Sequence, residues 1–271
     1  MDPVDPPTTV RDEAEALLAL DKWGFCVRPG VLSPEKVRSL RETIEAVAAE
    51  ARQRESRFDT KRVQKVPMVV NLGPEFWALA THDTVWALVA HMLEPGFLLS
   101  NLAASICLPH NEGSIKDTEQ ELHHDEGYVS APAPPYPVTA VALWLLDDFT
   151  PDNGATGIIP GSHLVLGPPP TAADYEQVVP ITARAGSVVV WNGRVRHRAR
   201  ENLTPSARVA ILAYYCRPWI RTQINFLASD LSPDVLSDAP ERLQVLLGMT
   251  PSGLGIIHRG IRAHAGRTRP A

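Results

Sequence analysis

The sequence predicts an α+β fold with a mostly antiparallel sheet, and three observations carry that expectation. Helical periodicity is concentrated before Gly96. Five strand-like runs follow it, each bounded by Gly, Pro, Asn or Asp. Helices and strands do not alternate as a parallel βαβ sheet requires. The 25 prolines suit many loops between short strands.

Taken in order, residues 1–9 are acidic and Pro-rich and are expected to be disordered. Residues 10–23 have helical spacing with acidic side chains early, which complements a helix N-terminus. The stretch "GFCVRPGVL" reads as a short strand stopped by Pro29 and Gly30. Residues 33–54 predict the clearest helix. Ser33 is the N-cap, Pro34 opens the first turn, and Val37, Leu40, Ile44 and Val47 recur on one face. Residues 63–70 read as an edge strand leading into a loop, and 74–81 and 82–93 as two short helices. The strand-like runs are 97–108, 138–149, 155–160, 186–193 and 208–216. Residues 232–249 return to helical spacing, and the basic tail beyond them reads as loose.

A length of 271 residues suits one large domain with a sizeable core. Its parts are a mainly helical flank over 10–94, a strand-rich core over 95–217 and a C-terminal extension over 218–271. A net charge of -5 demands no basic surface, so nucleic acid is not an expected partner. No run nears the roughly 18 apolar residues of a membrane span. The first residues show neither the basic nor the apolar region of a secretory signal. Cys26, Cys107 and Cys216 are far apart and form no CxxC pair. They read as buried thiols of a reducing, cytoplasmic compartment.

The stretch "ELHHDEGYV" carries the chemistry. If it closes a strand, His123 and Asp125 share one face and His124 and Glu126 the other. A His-x-Asp pair is two thirds of the two-histidine, one-carboxylate set that leaves metal positions open, the arrangement of non-heme Fe(II) oxygenases. Among nine histidines, His197 is the best-placed third ligand, just after the apolar run "SVVVW". Eleven residues on, Arg208 opens another apolar strand. An inward arginine there needs an anionic partner, and a guanidinium matches a carboxylate bidentately.

Three segments, "LHHDEGY", "LWLLDDFTPDNGATGIIPGSH" and "AGSVVVWNGRVRHRARENLTPSAR", resemble the phytanoyl-CoA dioxygenase family of Fe(II)/2-oxoglutarate-dependent oxygenases. The resemblance covers about residues 95–217. It implies a double-stranded β-helix, a cupin-like jelly roll, over that span, with flanking N-terminal and C-terminal helices. It also implies Fe(II) held by His123, Asp125 and His197, 2-oxoglutarate anchored by Arg208, O2 as oxidant and a small-molecule substrate such as a secondary metabolite. Tyr128 falls where the family has an aromatic residue, which favours His123 and Asp125 over His124 and Glu126. Asp125 argues against halogenation, since halogenases of related type lack that carboxylate.

Other residues carry both a structural and a functional reading. Thr156 and Trp144 are candidate walls of the cosubstrate pocket, although Trp144, like Trp191, also reads as core. His163 reads as a capping or supporting residue. Asn71, Tyr128, Trp219 and Arg221 are candidate substrate contacts, with Asn225 a further possibility on the same segment as Trp219. Residues 110–120 read as either a lid or an ordinary loop. The alternative function is a metal-dependent jelly-roll isomerase or lyase, which needs the three ligands but no dicarboxylate partner for Arg208.

Overall fold

The computed structural model describes residues 9–54, 63–109, 120–165, 167 and 169–249. Residues 1–8, the loop over 110–119 and the basic tail from 250 onward lie outside the described residues. Helix α1 (Glu13–Trp23) starts on Asp12, whose carboxylate accepts the Ala14 N–H at 2.7 Å, and stops at Gly24 in the left-handed region at φ 79°. A side chain at Gly24 would collide with Val195 and His163, so the chain turns tightly there into β1 (Phe25–Arg28). Helix α2 (Pro34–Arg54) begins as expected on Ser33, whose hydroxyl accepts the Lys36 N–H at 3.3 Å.

Strand β2 (Val63–Val66) lies at a sheet edge, and a 3-10 turn (Val69–Leu72) leads to α3 (Pro74–Ala80) and α4 (Asp83–Leu93). Then come β3 (Leu98–Cys107), β4 (Thr139–Leu145), β5 (Gly157–Ile158), α5 (Ala172–Glu176) and β6 (Val179–Pro180). The core closes with β7 (Val188–Asn192), β8 (His197–Arg198) and β9 (Arg208–Cys216). The expected helix at 232–249 is two short ones, α6 (Pro233–Asp238) and α7 (Glu241–Leu246). Pro240 parts them, because a residue before proline is driven to extended backbone and Ala239 has ψ 127°.

Among the described residues the strands form a six-stranded sheet, β1-β7-β4-β9-β3-β2, and a three-stranded sheet, β6-β5-β8, with antiparallel pairing throughout. The large sheet is buried on both faces, and strict alternation sorts its side chains. Ala140, Ala142 and Trp144 of β4, Val188 and Val190 of β7, and Val209, Ile211 and Ala213 of β9 join the core shared with the helices. Val141, Leu143 and Leu145, Val189 and Trp191, and Ala210 and Tyr214 face the other way, toward Ile158 of the small sheet. The site lies on this second face.

The alternation corrects one expectation. Trp144 is fully buried in the helix-side core, edge-on to His82 at 5.3 Å, so it is not a wall of the cosubstrate pocket. Its neighbour Leu143 lines a cavity on the second face instead. The stretch 121–129 also differs from the expected strand end. It makes a single antiparallel bridge, His123 to His197, and then turns over 125–128.

Candidate metal centre

His123, Asp125 and His197 come together with one ligand atom each, all within 4.8 Å of one another. The bridge between His123 and His197 uses both backbone bonds, His123 N–H to His197 O at 3.1 Å and His197 N–H to His123 O at 2.8 Å. Adjacent strands thereby present the two imidazoles side by side, with ring centroids 4.5 Å apart. Asp125 follows where the chain leaves the bridge. Its N–H donates to Gly193 O at 2.7 Å, and its carbonyl accepts the Tyr214 hydroxyl at 3.0 Å.

The donor set fits a divalent iron ion. His123 Nδ1 bonds Glu121 O at 2.8 Å and His197 Nδ1 bonds Val195 O at 3.0 Å. A carbonyl only accepts, so each Nδ1 carries the proton and each Nε2 is the unprotonated, lone-pair nitrogen. Burial, and then the neighbouring His197, lowers the pKa of His123 below the ordinary imidazole value and favours the neutral form a metal needs. His197 Nε2 lies 3.8 Å from Asp125 Oδ2. Two imidazole nitrogens and one carboxylate on one side leave the opposite positions of an octahedral ion for other ligands.

Glu126 points away from the triad and into the protein. Glu126 is 4% exposed and accepts the Val138 N–H at 2.6 Å, the Thr139 N–H at 2.9 Å and Arg194 Nε at 2.8 Å. Arg194 is itself buried, and its second arm donates to Pro134 O at 2.7 Å. Glu126 is thus committed to fastening the metal loop onto β4 and the proline-rich loop. His163 is likewise structural, bonding Asp21 O at 3.1 Å at the end of α1.

A cavity of about 540 Å³ opens beside His197 and runs to Arg208. Arg208 is 6% exposed, donates Nε to Asn153 O at 3.2 Å, and lies over the Phe149 ring at 4.1 Å. Burial lowers its pKa by opposing its charge. Among the described residues no carboxylate forms an ion pair with it. Asp147, whose charge it feels, is engaged by Arg41 at 3.2 Å and by the Val209 N–H at 2.8 Å. Thr156 lines the same cavity.

Lys65 and Gln120 are among the polar residues on this cavity that sequence reasoning missed. Lys65 on β2 lies on its wall, close enough to Arg208 for the two charges to repel. On β2, Gln64 and Val66 are buried while Lys65 alternates to the other face. Gln120 has its Oε1 held by the Ala199 N–H at 3.3 Å, which turns its amide nitrogen to within 3.4 Å of His123 Nε2. Nothing in the sequence marked it.

The substrate candidates fare unevenly. Asn71 is spent on structure: its amide donates to Asp230 O at 2.8 Å and accepts the Ser232 N–H at 3.0 Å, clamping the C-terminal extension to the helical layer. It does not line the cavity. Tyr128 stands 58% exposed on the turn that follows Asp125. Trp219 is 50% exposed and Arg221 is also exposed, on the segment that leaves β9 beyond Tyr214.

The sequence profile of phytanoyl-CoA dioxygenase (PhyH) matches residues 20–210. "Dioxygenase af480" of Aspergillus fumigatus is 32% identical over 202 residues, covering 72% of this chain and 62% of that protein. The chain therefore spans somewhat less than two thirds of that relative's length. "Ectoine dioxygenase" of Nocardia farcinica is 25% identical, covering 78% of this chain and 80% of that one. Among solved structures, HygX of Streptomyces hygroscopicus with nickel and 2-oxoglutarate bound superposes with a TM-score of 0.60 at 21% identity, covering 77% and 88% of the two chains. The alpha ketoglutarate dependent carbocyclase SnoK from nogalamycin biosynthesis gives 0.59 at 22%, covering 75% and 83%. These two likenesses show a shared jelly-roll fold.

Proposed function

Because the chain belongs to the phytanoyl-CoA dioxygenase family, we propose that it is an Fe(II)/2-oxoglutarate-dependent dioxygenase that oxidises a small organic molecule of the secondary-metabolite kind. The observation that carries this reading is Arg208, a buried cation without a carboxylate partner among the described residues, in the cavity that also reaches His197. A buried charge is costly unless paired, and a dicarboxylate anchored there extends toward the metal ligands. An isomerase or lyase that used the metal alone would leave that charge unanswered.

His123, Asp125 and His197 would hold the iron. Arg208 would take the far carboxylate of 2-oxoglutarate as a bidentate pair, with Lys65 adding positive charge and Thr156 a hydroxyl. Gln120 presents an amide N–H beside the metal-facing nitrogen of His123 and suits an oxygen of the bound cosubstrate. When bound, iron and 2-oxoglutarate supply oxidative decarboxylation to succinate and carbon dioxide, coupled to oxidation of a substrate carbon. The protein contributes orientation, and the apolar walls Leu143, Ala210 and Leu212 keep water from the site. Tyr128, Trp219 and Arg221 supply an exposed aromatic and cationic surface for substrate. The Nocardia farcinica relative named ectoine dioxygenase and the carbocyclase SnoK from nogalamycin biosynthesis support that substrate class. Three buried free thiols suit a reducing, cytoplasmic setting.

The test is Arg208→Ala. It is expected to raise the Michaelis constant for 2-oxoglutarate far more than that for the organic substrate, since losing a buried charge-assisted pair costs about 2–5 kcal/mol. Arg208→Lys restores only part, because an ammonium lacks the planar fork. An unchanged cosubstrate constant in the alanine variant would remove the anchor, and with it the distinction from a lyase.

A further inference from the structure

We infer that Trp191 is a positioning residue of the metal centre: its indole N–H fixes the Asp125 carboxylate and so sets how tightly the site holds its metal. The inference rests on the dioxygenase reading for the purpose of the site, but not for the geometry.

Asp125 is fixed at its backbone by Gly193 and Tyr214. Neither bond restrains its carboxylate, which can still rotate about the side-chain torsions. Among the described residues, the one hydrogen-bond donor to that carboxylate outside the metal triad is Trp191 Nε1, 3.4 Å from Oδ2. The same oxygen is the one 3.8 Å from His197 Nε2, so the indole holds the oxygen on the side where the triad converges. The ring also packs against His197, with centroids 5.2 Å apart at 54°. One side chain therefore touches two of the three ligands.

Trp191 is well placed to hold them still. It sits on β7 between Phe25 of β1 and Val141 of β4, hydrogen-bonded sheet on both sides, and is 2% exposed. An indole N–H only donates, and a buried one needs an acceptor. The other buried tryptophans resolve this differently. Trp77 gives its proton to Val70 O at 2.6 Å, and Trp144 Nε1 has no hydrogen-bond partner. Trp191 spends its proton on a metal ligand. At 3.4 Å the bond is long, as befits a carboxylate that a cation would draw into final position.

The account predicts a specific pattern for Trp191→Phe, which keeps an aromatic wall and loses the donor. Mn(II) affinity, measured by titration in the absence of cosubstrate, is expected to weaken about tenfold, the lower end of what supporting partners of metal ligands contribute. The visible charge-transfer band of the anaerobic Fe(II) and 2-oxoglutarate complex is expected to move in energy, because the carboxylate's donor strength changes. The 2-oxoglutarate dissociation constant, governed by Arg208, stays close to wild type. A second variant removes only the donor: 3-benzothienylalanine at position 191 replaces N–H by sulfur in nearly the same shape, and it gives the same two changes. Wild-type metal affinity in the benzothienylalanine protein, whatever the fate of Trp191→Phe, reduces Trp191 to a wall of the cavity. A wild-type protein that binds Mn(II) but shows no band would count against the dioxygenase reading, and the Mn(II) comparison would still decide the role of Trp191.

Discussion

At the scale of single residues, the doublets His123-His124 and Asp125-Glu126 divide into two jobs. His123 and Asp125 turn to the metal side, while Glu126 turns into protein and meets Arg194 at 2.8 Å, both almost fully buried. Sequence pattern put Glu126 on the face opposite Asp125 but gave no sign of its partner Arg194. A carboxylate so buried is expensive to leave unpaired from either side. Arg194→Ala is expected to lower unfolding free energy by about 3–5 kcal/mol, because it strands the Glu126 charge. Glu126→Ala should cost a similar amount, and the double replacement less than the sum. Urea denaturation of the three variants checks this, and a loss below about 1 kcal/mol in each single variant would show the pair to be dispensable.

His163 adds a pH dependence at the same scale. Burial, its largest influence, lowers its pKa below the ordinary imidazole value, and His82 is lowered for the same leading reason. Above the ordinary value of about 6.5 both folded and unfolded states are neutral, and neither histidine alters stability. Below it the unfolded chain takes up protons that the folded chain resists, so stability falls as pH falls. Between about pH 7 and 5.5 the wild-type unfolding free energy is expected to decline, and His163→Gln to decline less steeply. Parallel slopes for the two proteins would contradict this.

At the scale of elements, the long strands were legible because each is a continuous apolar run. The run 208–216 became β9 residue for residue. The two-residue strands β6 and β8 were not, since they owe their pairing to β5, inside the expected run 155–160, rather than to local pattern. Faces were also hidden. A strand buried on both sides carries Leu143 and Trp144 alike as apolar, and only the layers packed around it say which is inside. Asn71 misled for a related reason. A polar residue in a turn gives no sign that its amide is spent on a segment some 160 residues away.

The link between β7 and the metal loop is the element most sensitive to change. Gly193 accepts the Asp125 N–H through its carbonyl and donates its own N–H to Thr139 O at 2.9 Å. A Cβ at Gly193 would lie 1.8 Å from Thr139 Oγ1 and 2.9 Å from Thr139 O. The backbone must therefore move, and Asp125 moves with it. Gly193→Ala is expected to lose about 1–3 kcal/mol of stability by overpacking and to bind metal more weakly than wild type. Metal titration alongside denaturation measures both. Unchanged metal affinity in a destabilised variant would uncouple this link from the site.

At the scale of the whole molecule, the large sheet separates two environments. Its helix-side face is an apolar core, and no described helix is long and apolar enough to cross a membrane. Its other face, covered by the small sheet, holds the triad, the buried Arg208 and the cavity they share. The sequence offered His123, Asp125, His197 and Arg208 as candidates because a short motif, two strand boundaries and a family resemblance single them out. Lys65, Gln120 and Trp191 were hidden because only the closed sheet pair brings them to the same cavity. The central claim is that His123, Asp125 and His197 form the iron site and His124 does not. Iron stoichiometry and 2-oxoglutarate-dependent succinate formation in His123→Ala, Asp125→Ala, His197→Ala and His124→Ala, compared side by side, test it most directly. The account predicts loss of iron and succinate in the first three variants and retention of both in His124→Ala. Iron and succinate surviving in Asp125→Ala while vanishing in His124→Ala would contradict it.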